Sequence, residues 1–102
     1  MRLTPQEVQS ILESILNFDK KARVFLYGSR TNDNLKGGDI DLLVVSETLN
    51  FSDKISLLAL LKEKLGDQKI DLSIKSSEQL KKDPFFQSVL PSAILLNEMS
   101  QK

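Results

Sequence analysis

The chain has 102 residues, enough for one domain with a modest core and too few for two. Fourteen Lys and Arg balance fourteen Asp and Glu, which argues against tight binding to long nucleic acid, because a polyanion ligand asks for a basic excess. Cysteine and histidine are both absent, so disulfides, thiolate or imidazole metal ligands and a histidine base are excluded, and any bound cation must be held by oxygen, as magnesium, manganese or calcium are.

Hydrophobic residues make up 40% and charged residues 27% of the chain, ordinary values for a globular protein. No signal-peptide core opens the sequence and no apolar run is long enough to cross a bilayer. The expected location is cytoplasmic, with no membrane partner.

Thr4-Pro5-Gln6-Glu7 reads as a helix start. Thr4 caps free amides, Pro5 suits the first helical position and Glu7 completes a capping box. Val8, Ile11, Leu12, Ile15 and Leu16 then recur at helical spacing, and the pattern fades between Asn17 and Asp19. Arg23-Val24-Phe25-Leu26-Tyr27 is rich in β-formers and stops at Gly28, as a strand does. Residues 30–38 are polar and end in Gly-Gly, which predicts a loop. Asp39 to Val45 is the second expected strand.

A second helix is expected from a Ser52 cap through Leu65, with Gly66 as its stop. Lys69 to Lys75 alternates strictly, so Ile70, Leu72 and Ile74 take one face while Asp71 and Ser73 take the other. A short helix opening at Ser77 must end before Pro84, another covers Phe85 to Leu90, and Ala93-Ile94-Leu95-Leu96 reads as a closing strand. The order predicts a mixed α/β (α+β) fold over residues 1–102, without linker, repeat or low-complexity segment.

The chemistry concentrates on three short stretches. In Asp39-Ile40-Asp41 two carboxylates two residues apart point to the same side of a strand. Like charges held together repel, and burial makes the repulsion worse; a bound divalent cation reverses it. An isolated Asp-x-Asp is more often a solvated strand end. Asp71 changes that weighting, because it lies opposite an apolar face on another strand; if the two strands are neighbours, three carboxylates share one sheet face. Such a set suits two divalent metals. Asp67 lies nearby, but it follows the helix-stopping Gly66, and alternation favours Asp71 as the third carboxylate. Gly28-Ser29-Arg30 directly follows the first strand. Glycine lets backbone approach an anion, serine adds a hydroxyl and Arg30 can pair with phosphate, although the dipeptide alone also fits an ordinary turn.

Together, Leu26-Tyr27-Gly28-Ser29-Arg30, Gly37-Gly38-Asp39-Ile40-Asp41-Leu42-Leu43-Val44 and the closing Asp83-Pro84-Phe85-Phe86 before Ile94-Leu95-Leu96 resemble the minimal nucleotidyltransferases of the polymerase-β-like nucleotidyltransferase superfamily. The resemblance spans nearly the whole chain. It implies a mixed sheet with helices packed on one face, Asp39, Asp41 and Asp71 as metal ligands and catalytic carboxylates, and Asp71 helping to deprotonate the acceptor. It implies Gly28 and Ser29 on the β- and γ-phosphates, with Arg30 as a further nucleotide contact. The loop Thr31-Asn32-Asp33-Asn34-Leu35-Lys36 lacks the second arginine of many relatives, which leaves Arg30, Lys36 and metal to neutralise phosphate.

Larger relatives carry a further domain for the acceptor, and 102 residues leave no room for one. The resemblance therefore implies Mg²⁺-dependent transfer of a nucleoside monophosphate, AMP from ATP, to a hydroxyl of a partner protein. The implied partner is a helical HEPN-domain protein, as in a toxin–antitoxin system, with two Mg²⁺ ions when nucleotide is bound. The competing reading is a non-catalytic, antitoxin-like subunit that neutralises its partner by occlusion. Transfer to a small molecule or an RNA end is a third, and no acceptor pocket or basic surface is legible for it. Tyr27 reads as core or pocket wall, and Phe85 and Phe86 as cover for the sheet, with the alternative that one of them faces a partner.

Overall fold

The computed structural model describes residues 1–34 and 38–99. Helix α1 runs from Pro5 to Phe18. Its start is the expected capping box: the Glu7 amide donates to Thr4 Oγ1 at 3.1 Å, and the Thr4 amide donates to Glu7 Oε1 at 2.9 Å. Two amides of the helix start, those of Thr4 and Glu7, are thus satisfied locally. The helix buries Val8, Ile11, Leu12 and Ile15.

Strands β1 (Arg23–Tyr27), β2 (Ile40–Val45), β3 (Ile70–Lys75) and β4 (Ile94–Leu95) form one sheet in the order β3-β2-β1-β4. β1 pairs antiparallel with β2 and β4, whereas β2 and β3 are parallel. A parallel neighbour needs a crossover, and helix α2 (Phe51–Leu65) supplies it. The fold is the expected mixed α+β one.

Helices α1 and α2 pack on one face of the sheet. There Ile11, Ile15, Leu57 and Leu61 meet Val24, Leu26, Ile40, Leu42, Val44 and Leu72 in the main core. The opposite face is only partly covered. Short helices α3 (Ser77–Lys81) and α4 (Pro84–Val89) bring Leu80 and Phe86 against Tyr27, Leu43 and Val45. The expectation of helices on one face therefore describes the two long helices, and α3 and α4 add a second, smaller apolar cluster beside the exposed part of the other face.

β2 and β3 begin one residue later than expected, at Ile40 and Ile70, and α4 is shifted by one; three boundaries differ by more. α2 is capped by Asn50, not Ser52: the Asp53 amide donates to Asn50 Oδ1 and the Asn50 amide donates to Asp53 Oδ2, both at 2.9 Å. The box closes two residues earlier because Asp53, despite its short arm, reaches back to the cap. The loop after β1 begins with a 3-10 turn, Gly28–Thr31, since the Asn32 amide folds back onto the Ser29 carbonyl at 3.1 Å. The closing strand shrinks to two residues, between 3-10 turns at Leu90–Ser92 and Leu96–Met99. Asn97 in the last turn accepts from the Val24 amide at 2.8 Å and donates to the Ala22 carbonyl at 3.1 Å, taking over pairing that a longer strand would supply.

Candidate active site

β2 is buried at every position except Asp41. A carboxylate on an otherwise buried strand signals a site, because charge there costs stability unless it is compensated. The registers show what surrounds it. Asp41 sits opposite Tyr27 on β1 and opposite Asp71 on β3, so Tyr27, Asp41 and Asp71 form one row across the sheet. Side chains in such a row share a face. This is the face left partly open by α3 and α4.

The row ends in an apolar floor. Tyr27 and Phe86 are 8% and 5% exposed, and their rings meet edge to face at 5.4 Å between centroids. Burial, followed by the charges of Asp71 and Asp39, holds the Asp41 carboxyl above its ordinary value. Burial also raises the Tyr27 phenol, and the charges of Asp71 and Asp41 add to it. The carboxylates therefore meet a low-polarity floor on one side and one another on the other. A cation would relieve both.

Gly28 shows how closely the chain approaches this row. Its φ is 81°, a left-handed value that glycine adopts without strain. A Cβ built there would lie 2.3 Å from Asp41 Oδ2, a steric overlap. Only glycine lets the turn pass over the carboxylate. Gly38, with φ 90°, is equally close to Ser29: a Cβ there would come within 2.2 Å of its hydroxyl oxygen. Two glycines thus let the backbone pass directly against Asp41 and Ser29.

A cleft of about 600 Å³ opens over the row, lined by Tyr27, Gly28, Asp41, Asp71, Ser73 and Phe85 among others. Its size suits a small-molecule ligand. A more apolar hollow of about 490 Å³ lies elsewhere, between the amino terminus, α1 and Met99; it contains none of the residues singled out from the sequence.

The expected site residues fare differently. Asp41 and Asp71 are brought side by side. Asp39 precedes β2, near enough to raise the Asp41 carboxyl, while its own Oδ2 stands 4.0 Å from Lys69 Nζ in an exposed, weak pairing. Asp67 lies beside Gly66, Gln68 and Lys69 in a separate depression. As the side chains stand, no three Asp or Glu groups among the described residues converge as a metal cluster. The donor chemistry nonetheless fits: Asp41 and Asp71 are hard oxygen ligands on rigid strands, and Asp39 is two residues from Asp41.

Arg30 sits in the turn but not in the cleft lining. Its guanidinium donates to the Gly38 carbonyl at 3.2 Å, the Arg2 carbonyl at 2.8 Å and Gln68 Oε1 at 3.0 Å. Arg2 works from the other side, donating to the Ser29 carbonyl at 3.0 Å and the Asn32 carbonyl at 2.9 Å. Both arginines set the shape of the turn that carries Gly28 and Ser29. Arg2 was not singled out from the sequence, and no motif marks it; its partners are 27 and 30 positions away. Lys36 lies outside the described residues.

No helix among the described residues is long and apolar enough to cross a membrane. No curated protein matches the chain in sequence. The family model described as the nucleotidyltransferase domain does match, over residues 8–92, a stretch that holds the Gly28-Ser29 turn, Asp39, Asp41 and Asp71. The chain belongs to the nucleotidyltransferase domain family.

Proposed function

We propose that this chain transfers a nucleoside monophosphate, AMP from ATP, to a hydroxyl group of a partner protein, a helical HEPN-type partner being the leading acceptor. The observation that carries the reading is the Tyr27–Asp41–Asp71 row beneath the Gly28 turn. It supplies adjacent carboxylates for a metal, an amide-bearing turn for phosphate and a cleft for the nucleotide.

Asp39, Asp41 and Asp71 would hold magnesium, which when bound screens the triphosphate charge and favours departure of pyrophosphate. The remaining work falls to the chain. The backbone at Gly28 and the Ser29 hydroxyl hold the β- and γ-phosphates, and Arg2 and Arg30 keep that turn in shape. Asp71, the exposed member of the pair, accepts the proton of the incoming hydroxyl. The acceptor oxygen bonds to the α-phosphorus as the bond from that phosphorus to the pyrophosphate oxygen breaks, in line with the attack.

A protein acceptor is supported by the openness of the carboxylate face and by an exposed apolar pair on α2, Phe51 and Ile55, spaced four residues apart. The same pair would also serve a subunit that acts by occlusion alone. The two readings separate in one experiment with the double variant Asp39→Asn/Asp41→Asn, Mg²⁺, ATP labelled at the α-phosphate and a helical HEPN-type protein as partner. Loss of label on the partner together with loss of neutralisation supports transfer. Full neutralisation by the double variant establishes occlusion instead.

A further inference from the structure

Phe85 is 57% exposed, although it lines the same cleft as Gly28, Asp41 and Asp71. Its neighbour Phe86 is buried beneath the site. An aromatic ring kept in contact with water costs apolar exposure, and this one is not loose. Its centroid lies 6.1 Å from Tyr27 at 76° and 5.0 Å from Phe86 at 75°, both edge-to-face contacts that fix a ring's orientation. The start of α4 is fixed too, because Asp83 caps it by accepting from the Phe86 amide at 3.1 Å and pairs with Lys75 at 3.4 Å. Phe85 is therefore an oriented ring at the cleft wall, one ring beyond Tyr27, which is itself the register partner of Asp41.

We infer that Phe85 is the platform on which the base of the bound nucleotide stacks, an assignment that rests on the nucleotidyl-transfer reading of the cleft. With the triphosphate at the Gly28 turn and its α-phosphate at the carboxylate row, the nucleoside extends along the cleft toward α4. The ring met there is Phe85. Stacking uses the π-face that every base has, so this contact supplies affinity for the nucleoside part and little discrimination among bases. Phe85 differs in this from the carboxylates and the turn, which act on phosphate.

That difference gives the test. Binding of ATP and of inorganic tripolyphosphate, each with MgCl₂, is measured by calorimetry on wild-type protein, Phe85→Ala and Phe85→Tyr. The expected result is a loss of about ten-fold or more in ATP affinity for Phe85→Ala, the same loss for GTP, unchanged tripolyphosphate affinity and near-wild-type behaviour of Phe85→Tyr. Because the chain has no tryptophan, Phe85→Trp adds a single fluorophore, whose emission should be quenched by ATP and not by tripolyphosphate. Equal weakening of both ligands in Phe85→Ala overturns the inference, since it marks a general disturbance of the cleft. So does unchanged ATP affinity, and if that accompanies loss of partner binding, Phe85 is a protein contact. Failure of the wild-type protein to bind either ligand removes the nucleotidyl-transfer reading itself, and the platform with it.

Discussion

Replacing Asp41 by Asn should stabilise the metal-free protein while abolishing transfer. Neighbouring strands lie about 4.8 Å apart, and two unit charges at roughly 5 Å repel by about 3 kcal/mol at an effective dielectric near 20 and by about 0.8 kcal/mol in water. Asp71 is exposed and Asp41 partly so, which places the pair toward the screened end, at about 1 kcal/mol. For a domain of this size such a change raises Tm by roughly 4–8 °C.

The pH dependence has a definite sign. The Asp41 carboxyl is raised by burial, by Asp71 and by Asp39, so the native state holds this proton more tightly than the unfolded chain. Its contribution to stability is fully present below the ordinary aspartate value. It is lost as pH rises through the raised native value. Asp41→Asn lacks this loss, so its advantage should be absent below that window, grow through it and be complete above it. The assay is thermal unfolding by circular dichroism in chelator, across acid to neutral pH, repeated with MgCl₂. Wild-type protein should gain more from MgCl₂ than the variant does. An Asp41→Asn protein whose Tm is unchanged or lower in chelator at neutral pH would show that the carboxylates do not repel, and the argument for a cation between them would fail.

Gly28→Ala should lose both stability and transfer, because a Cβ at φ 81° overlaps Asp41 Oδ2; the left-handed angle alone costs about 1–2 kcal/mol, readable by urea unfolding, and an active, stable variant would contradict the close approach. Arg30→Ala removes three hydrogen bonds to the turn and its neighbours and should destabilise the fold by about 1–3 kcal/mol. A variant of unchanged stability that binds triphosphate weakly would place Arg30 on phosphate instead. Asn50→Ala should cost about 1 kcal/mol in denaturant unfolding, and Ser52→Ala almost nothing; the reverse order would refute the capping box at Asn50.

Local grammar was legible where a residue's partner lies within one turn or one pleat. Thr4 and Glu7 are three residues apart, Gly66 stops its own helix at φ 77°, and strict alternation from Ile70 to Ile74 placed Asp71 on the face it occupies. The convergence of Asp41 and Asp71 could be stated only as a condition, that their strands be neighbours, and the parallel register of β2 and β3 meets it. What escaped was set by distant partners. Arg30 carries the same charge toward a phosphate or a carbonyl, and only the fold reveals that Arg2, Gly38 and Gln68 surround it. Asn97 carries no periodic signal, yet it bonds to β1 across more than 70 residues. Ser52 has Ile55 three residues on and so no reciprocal partner, whereas Asn50 has Asp53, a less usual box partner than Glu or Gln and so a weaker signal in the sequence.

The most direct test of the account follows the two ends of the triphosphate separately. The protein is incubated with Mg²⁺ and a helical HEPN-type protein as acceptor, using ATP labelled at the α-phosphate in one tube and at the γ-phosphate in the other. The account predicts α-label on a hydroxyl of the partner, γ-label only in released pyrophosphate, and neither product with Asp41→Asn. Label transferred from the γ-position, or α-label transfer that survives in Asp41→Asn, would contradict it.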